Sequence, residues 1–113
     1  MALKKVKKQP WERLTIAGEF SNVLTDGETI SAPPASMITA VTSENINVSD
    51  SFLDQDTIEV DGNYLKIRCL EGVQGEVYSI NFRIETSLGN RWETDMQITV
   101  KEVGSIVVTT TTV

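Results

Sequence analysis

The chain has 113 residues, 40% hydrophobic and 23% charged, which is the size and composition of one folded domain. It has no histidine and one cysteine, so histidine-based catalytic systems and an internal disulfide are excluded within the chain. No apolar run reaches the about 18 residues a membrane helix needs. The opening MALKKVKKQPWERL lacks the apolar core of a secretory signal. Synthesis in the cytoplasm is therefore expected.

The net charge of −6 is unevenly spread. Residues 1–13 hold five of the ten basic residues, Lys4, Lys5, Lys7, Lys8 and Arg13, and one of the sixteen acidic ones, Glu12. Pro10 interrupts any strand or helix, so residues 1–13 read as a basic N-terminal arm. The acidic remainder argues against nucleic acid binding by the body, because phosphate contacts need clustered lysine and arginine. Only the arm has the charge to touch phosphates or an acidic protein, and a solvated terminus explains it equally well.

After the arm, RLTIAGEF alternates, with Gly18 reading as a bulge or bend before Phe20. TDGE contains the turn pair Asp26-Gly27, and SAPPAS is a second break. MITAVTS is β-branched and reads as a strand; INVSDSFLDQD reads as a loop with short extended pieces. DTIEV, the turn Asp61-Gly62 and YLKIRC form a predicted hairpin, with Leu65, Ile67 and Cys69 on its apolar face. Cys69 is thus a core residue rather than a reactive thiol.

In GEVYSINFRIETSLGNRWETDMQITV, two alternating runs flank the turn SLGN. Tyr78, Ile80, Phe82 and Ile84 share one row; Trp92, Met96, Ile98 and Val100, completed by Thr94, share the other. All are predicted core. About seven short strands with turns roughly every ten residues predict an all-β antiparallel sandwich over residues 14–103. Residues 104–113 follow as a β-prone tail, uncharged and rich in Val, Ile and Thr, including Ile106, Val107 and Val108. It either completes the domain's own sheet or adds to a neighbouring subunit, with Gly104 as hinge.

Little here carries chemistry. The acidic run DSFLDQDTIEVDG lacks the calcium-loop spacing: counted from Asp54, the fifth and sixth positions are Ile58 and Glu59. NVS at 47–49 matches a glycosylation acceptor by chance composition, and no glycine-rich phosphate loop follows a strand. The expectation is a protein that is not an enzyme and uses no metal or cofactor.

Two segments, LTDGETI (24–30) and LKIRCLEGVQGEVYSINFRIETSLGNRWETDMQITVKEV (65–103), resemble the fibre-tail adaptor or neck proteins of tailed bacteriophages. The matching residues are Asp26, Gly27, Ile30, Gly72, Gly75, Glu76, Tyr78, Ile84, Thr86, Ser87 and Gly89. EGVQG departs from the paired glycines of many relatives, Asn90 precedes Arg91, and APPASMITAV lacks a tryptophan often found there. The basic arm and the threonine-rich tail lie outside the shared pattern; the resemblance implies an immunoglobulin-like sandwich serving as a virion structural subunit at the neck, collar or tail. Its implied partners are connector, tail, fibre or capsid proteins, with copies joined in a ring. Assembly is expected through Lys4, Lys5, Lys7, Lys8, Trp11, Arg13, Ile106, Val107 and Val108. A capsid decoration protein is the near alternative. A host- or carbohydrate-binding module is the distant one, disfavoured because Trp92 and Tyr78 fall on apolar rows and leave Trp11 as the exposed aromatic.

Overall fold

Period-two patterning over residues 77–100 becomes a long hairpin in the computed structural model, which describes residues 4–102. β6 (Val77–Glu85) and β7 (Arg91–Val100) pair antiparallel, with Ile80 opposite Met96 and Tyr78 opposite Ile98. The turn between them uses Gly89 at φ 83°, a left-handed conformation that glycine adopts without Cβ strain. β3 (Met37–Val41) adds antiparallel to β6 and turns Ile38 and Ala40 inward.

β1 (Lys4–Lys8) closes the other side of this sheet by pairing parallel with β7, Val6 beside Ile98 and Lys8 beside Val100. Residues 4–8 are therefore a strand of the sandwich, where the sequence reading placed a separate arm. Five residues with four lysines carry no β signal. What recruits them is the apolar edge of β7 and the inward position of Val6, while lysines suit a sheet edge because they discourage further strand pairing.

The second sheet has the order β2-β5-β4, from β2 (Leu14–Glu19), β5 (Tyr64–Cys69) and β4 (Leu53–Asp61). Its β4–β5 hairpin turns at Gly62, φ 60°. The first sheet has the order β1-β7-β6-β3, so the chain changes sheets between β1 and β2. β2 lies against β7, and β3 lies near β4, which puts β1 and β4 on opposite flanks.

Gly18 is not a bulge: the β2–β5 register runs unbroken from Leu14–Cys69 to Glu19–Tyr64. A Cβ there would stand 2.7 Å from Cγ of Phe82, so glycine lets β2 pass close against the ring of the facing sheet. The irregularity lies in β4, between Asp54 and Glu59.

The 46–56 stretch differs from the expected loop. A helical turn, α1 (Ser49–Phe52), leads directly into β4, with Phe52 N donating to Val48 O at 2.8 Å. The turn buries both Phe52 and Leu53, and Phe52 stacks on Tyr78 with ring centroids 3.8 Å apart. Ile16, Leu65, Ile67, Phe82, Ile84 and Met96 complete the centre of the core. Cys69 is fully buried among them, and burial pushes its thiol pKa up.

Candidate assembly surfaces

Strand directions define two ends. The basal end carries the β1–β2, β3–α1 and β5–β6 connections and the exit of β7; the distal end carries the β2–β3, β4–β5 and β6–β7 connections.

At the basal end, residues 9–12 form a turn closed twice. Glu12 N donates to Gln9 O at 3.1 Å, and Gln9 N donates to Glu12 Oε1 at 2.7 Å. Pro10 presets the turn, and Trp11 stands on it 87% exposed. Lys8, just before, is buried: its Nζ donates to Gln9 O at 2.9 Å and to Glu71 O. Desolvation lowers the Lys8 pKa, partly offset by Cys69, Glu12 and Glu71. Arg13 pairs with Glu71 at 2.9 Å on the surface. The Glu71 carboxyl is held down chiefly by its own backbone N–H, then by Arg13. The end of β7 is pinned here too, with Lys101 N donating to Lys8 O at 2.9 Å and Glu102 N to Gln74 Oε1 at 2.7 Å.

The motif residues fall into two clamps, one at each end. Distally, residues 25–28 repeat the geometry of 9–12: Glu28 N donates to Thr25 O at 3.0 Å, and Thr25 N donates to Glu28 Oε1 at 3.0 Å. The other carboxylate oxygen of the buried Glu28 accepts from Thr86 Oγ1 and from Asn90 Nδ2 at 3.0 Å. These donors, Thr86 foremost, hold the Glu28 pKa down to about 2. Thr29 and Ser87 add two exchanges, Thr29 N to Ser87 Oγ at 3.0 Å and Ser87 N to Thr29 O at 2.9 Å. Basally, Gly72 takes φ 82° where a Cβ would meet the Phe52 ring at 2.9 Å. Tyr78 Oη accepts from Val73 N at 2.9 Å, and Glu76 accepts from Ser43 Oγ at 2.7 Å. The Ser43 hydroxyl, with the Val77 and Ser43 amides, lowers the Glu76 pKa.

Between the ends, the outward face of the first sheet is polar. Asn81 Nδ2 donates to Glu93 at 2.9 Å and Asp95 at 2.8 Å, while Asn81 Oδ1 accepts from Arg83 Nε at 2.8 Å. Among the described residues, the large exposed apolar side chains are confined to the two ends. Trp11, Ile46 and Val73 stand on basal connections; Met37, Tyr64, Leu88 and Trp92 stand at the distal end.

Trp92 corrects an expectation. It shares a row with Met96 and Ile98 and was predicted to be core, yet it is 41% exposed. β1 reaches only Met96–Val100 on β7, so the distal half of β7, where Trp92 lies, is an open sheet edge. Trp92 lines a groove of about 590 Å³ with Met37, Arg83, Glu85, Arg91 and Glu93. The other predicted core residues, Cys69, Tyr78, Ile80, Phe82, Ile84, Met96 and Ile98, are buried. Of the predicted assembly residues, Lys4, Lys5 and Lys7 line the exposed β1 edge, Trp11 and Arg13 stand at the basal end, and Lys8 is internal. Ile106, Val107 and Val108 lie outside the described residues. The Glu28 clamp was missed, although Thr-x-x-Glu is a known reach-back signal.

Among the described residues, no group of three or more His, Cys, Asp or Glu is placed to hold a metal. No helix there is long and apolar enough to cross a membrane. A rigid sandwich with polar faces and apolar side chains gathered at both ends belongs to the class of structural interaction domains. Residues 8–101 match the family described as podophage GP4 fiber-tail adaptor protein gp77. That match takes in most of the chain, and the chain belongs to this family, in agreement with the motifs in residues 24–30 and 65–103. No curated protein matches it.

Proposed function

We propose that the chain is a non-enzymatic virion subunit that joins a tail or neck protein to a fibre protein, one partner at each end of the sandwich. The observation that carries this is the segregation of Trp11, Ile46 and Val73 to one end and of Met37, Tyr64, Leu88 and Trp92 to the other. A bridging domain needs two desolvatable ends and faces that stay wet, and aromatic anchors on fixed backbone supply most of the energy of such contacts. Trp11 fits that role, because its turn is locked before any partner arrives.

The strand order supports the immunoglobulin-like reading. β2-β5-β4 and β7-β6-β3 correspond to the B-E-D and G-F-C groupings of that fold, with β1 beside the last strand. Tyr78 near the start of β6, bonded to the backbone five residues upstream, resembles the tyrosine corner of that fold.

In this reading the copies form a ring at the neck or collar, and residues 105–113 add as a strand to a neighbour. The exit of β7 lies at the basal end, where Lys101 N donates to Lys8 O close to the 9–12 turn. Two changes test this. Trp11→Ala and deletion of residues 105–113 each leave the isolated domain folded by circular dichroism and reduce its occupancy in purified particles. Full occupancy of both variants contradicts assembly through these segments.

The Trp92 groove favours one second reading, a saccharide contact, since an exposed indole flanked by Arg83, Arg91 and two carboxylates suits a sugar ring. Titration with host surface glycans that leaves Trp92 fluorescence unchanged removes it.

A further inference from the structure

The two flanks of the sandwich carry opposite charge. One is edged by β1, whose Lys4, Lys5 and Lys7 are exposed and make no ion pair among the described residues. The other is edged by β4, where Asp54, Asp56 and Glu59 likewise make no ion pair and Asp56 and Glu59 are exposed. The strand orders put these edges as far apart around the sandwich as two strands can be, each at the margin of its own sheet. Neither flank is pure: Glu19 lies beside the lysine edge on β2, and on β5 Arg68 stands in register with Asp54 and Lys66, engaged by Asp61 at 2.6 Å, in register with Glu59.

We propose that copies of this chain associate head to tail, the lysine edge of one against the acidic edge of the next. This rests on the reading of the chain as a repeated virion subunit and names the surfaces that join the copies. A contact between two different patches of one protein is heterologous. Repeated, it closes into a ring when its rotation divides a full turn, and otherwise runs on as a filament. Because both complementary halves lie on one chain, further copies satisfy both flanks, one neighbour on each side. The geometry also leaves the basal and distal ends free for other partners, as an adaptor requires. Charged edges also guard a sheet against unwanted strand pairing. A guarding role alone predicts that reversing the charges affects solubility without regard to which copies are mixed.

The test uses the full-length protein in analytical ultracentrifugation at low ionic strength. The parent protein sediments as an oligomer that dissociates with added salt, since exposed charge pairs are screened. Lys4→Glu/Lys5→Glu/Lys7→Glu gives a chain acidic on both flanks. Asp56→Lys/Glu59→Lys gives one with a basic second flank. Each alone associates about a hundredfold more weakly, because like charges now face each other. Mixed in equal amounts, the two variants recover the oligomer, with the copies alternating. Circular dichroism confirms that each variant is folded; if either is not, Lys5→Gln/Lys7→Gln and Asp56→Asn/Glu59→Gln replace them, and each then weakens association and flattens its salt dependence. A parent that stays monomeric at low salt, variants that assemble like the parent, or a mixture that stays monomeric overturns the proposal. A monomeric parent that still enters particles overturns this contact and leaves the adaptor reading standing.

Discussion

Gly18, Glu28 and Trp92 show how much of this protein is decided one side chain at a time. At Gly18 the two sheets approach until a single methyl group would overlap the Phe82 ring. Gly18→Ala is expected to cost about 1–3 kcal/mol through overpacking, read from urea unfolding; an unchanged midpoint contradicts this. Glu28 is folded with a pKa of about 2 against an ordinary 4.5, so its contribution is complete above 4.5 and is lost as pH falls from there toward 2. Glu28→Gln is therefore expected to lower the melting temperature at neutral pH and to flatten its decline between those values. Parallel acid limbs in the two proteins contradict this. Phe82→Ala removes a fully buried ring and is expected to cost about 3–5 kcal/mol, while Trp92→Ala costs less than about 1 kcal/mol. Alternation alone ranked these two together, because a period of two assigns a face and says nothing of whether another element covers it.

At the scale of elements, the hairpins were legible and the connections were not. β4–β5 and β6–β7 announce themselves by alternating apolar residues around Asp61-Gly62 and SLGN, signals contained within one short window. β1 has no such signal, since its partner lies some ninety residues away and its lysines say only that it is exposed. α1 was hidden for a similar reason: Phe52 and Leu53 look scattered in a polar stretch until one helical turn aims both into the core. The strand at 4–8 has a direct consequence. In the isolated protein, the amides of β1 that bond to β7 are expected to be protected from hydrogen exchange, with those of β6 slower still. Exchange across residues 4–8 at the rate of an unstructured peptide contradicts the strand. Of the assembly surface, composition exposed the lysine cluster, but only the fold separates Lys8, which closes the basal end from inside, from Lys4, Lys5 and Lys7, which face outward.

For the whole molecule, the family motifs divide between two clamps at opposite ends of a rigid core. Residues 25–30 and 86–90 lock the distal loops; residues 72–78 lock the basal ones. These residues are distant in sequence and were legible as a motif without their purpose being so, because hydrogen bonds between loops leave no periodicity. They tie down loops that carry exposed Leu88 at one end and Val73 at the other, and the proposed bridging role gives that a use. Fixed loops lose little entropy on binding, which suits the proposed joining of one partner at each end. Cross-linking mass spectrometry on intact particles tests this most directly. The account predicts that residues of the 9–13, 43–47 and 72–75 loops cross-link to one virion protein and those of the 86–92 turn to a different one. Cross-links from both ends to the same protein, or absence of the chain from purified particles, contradict it.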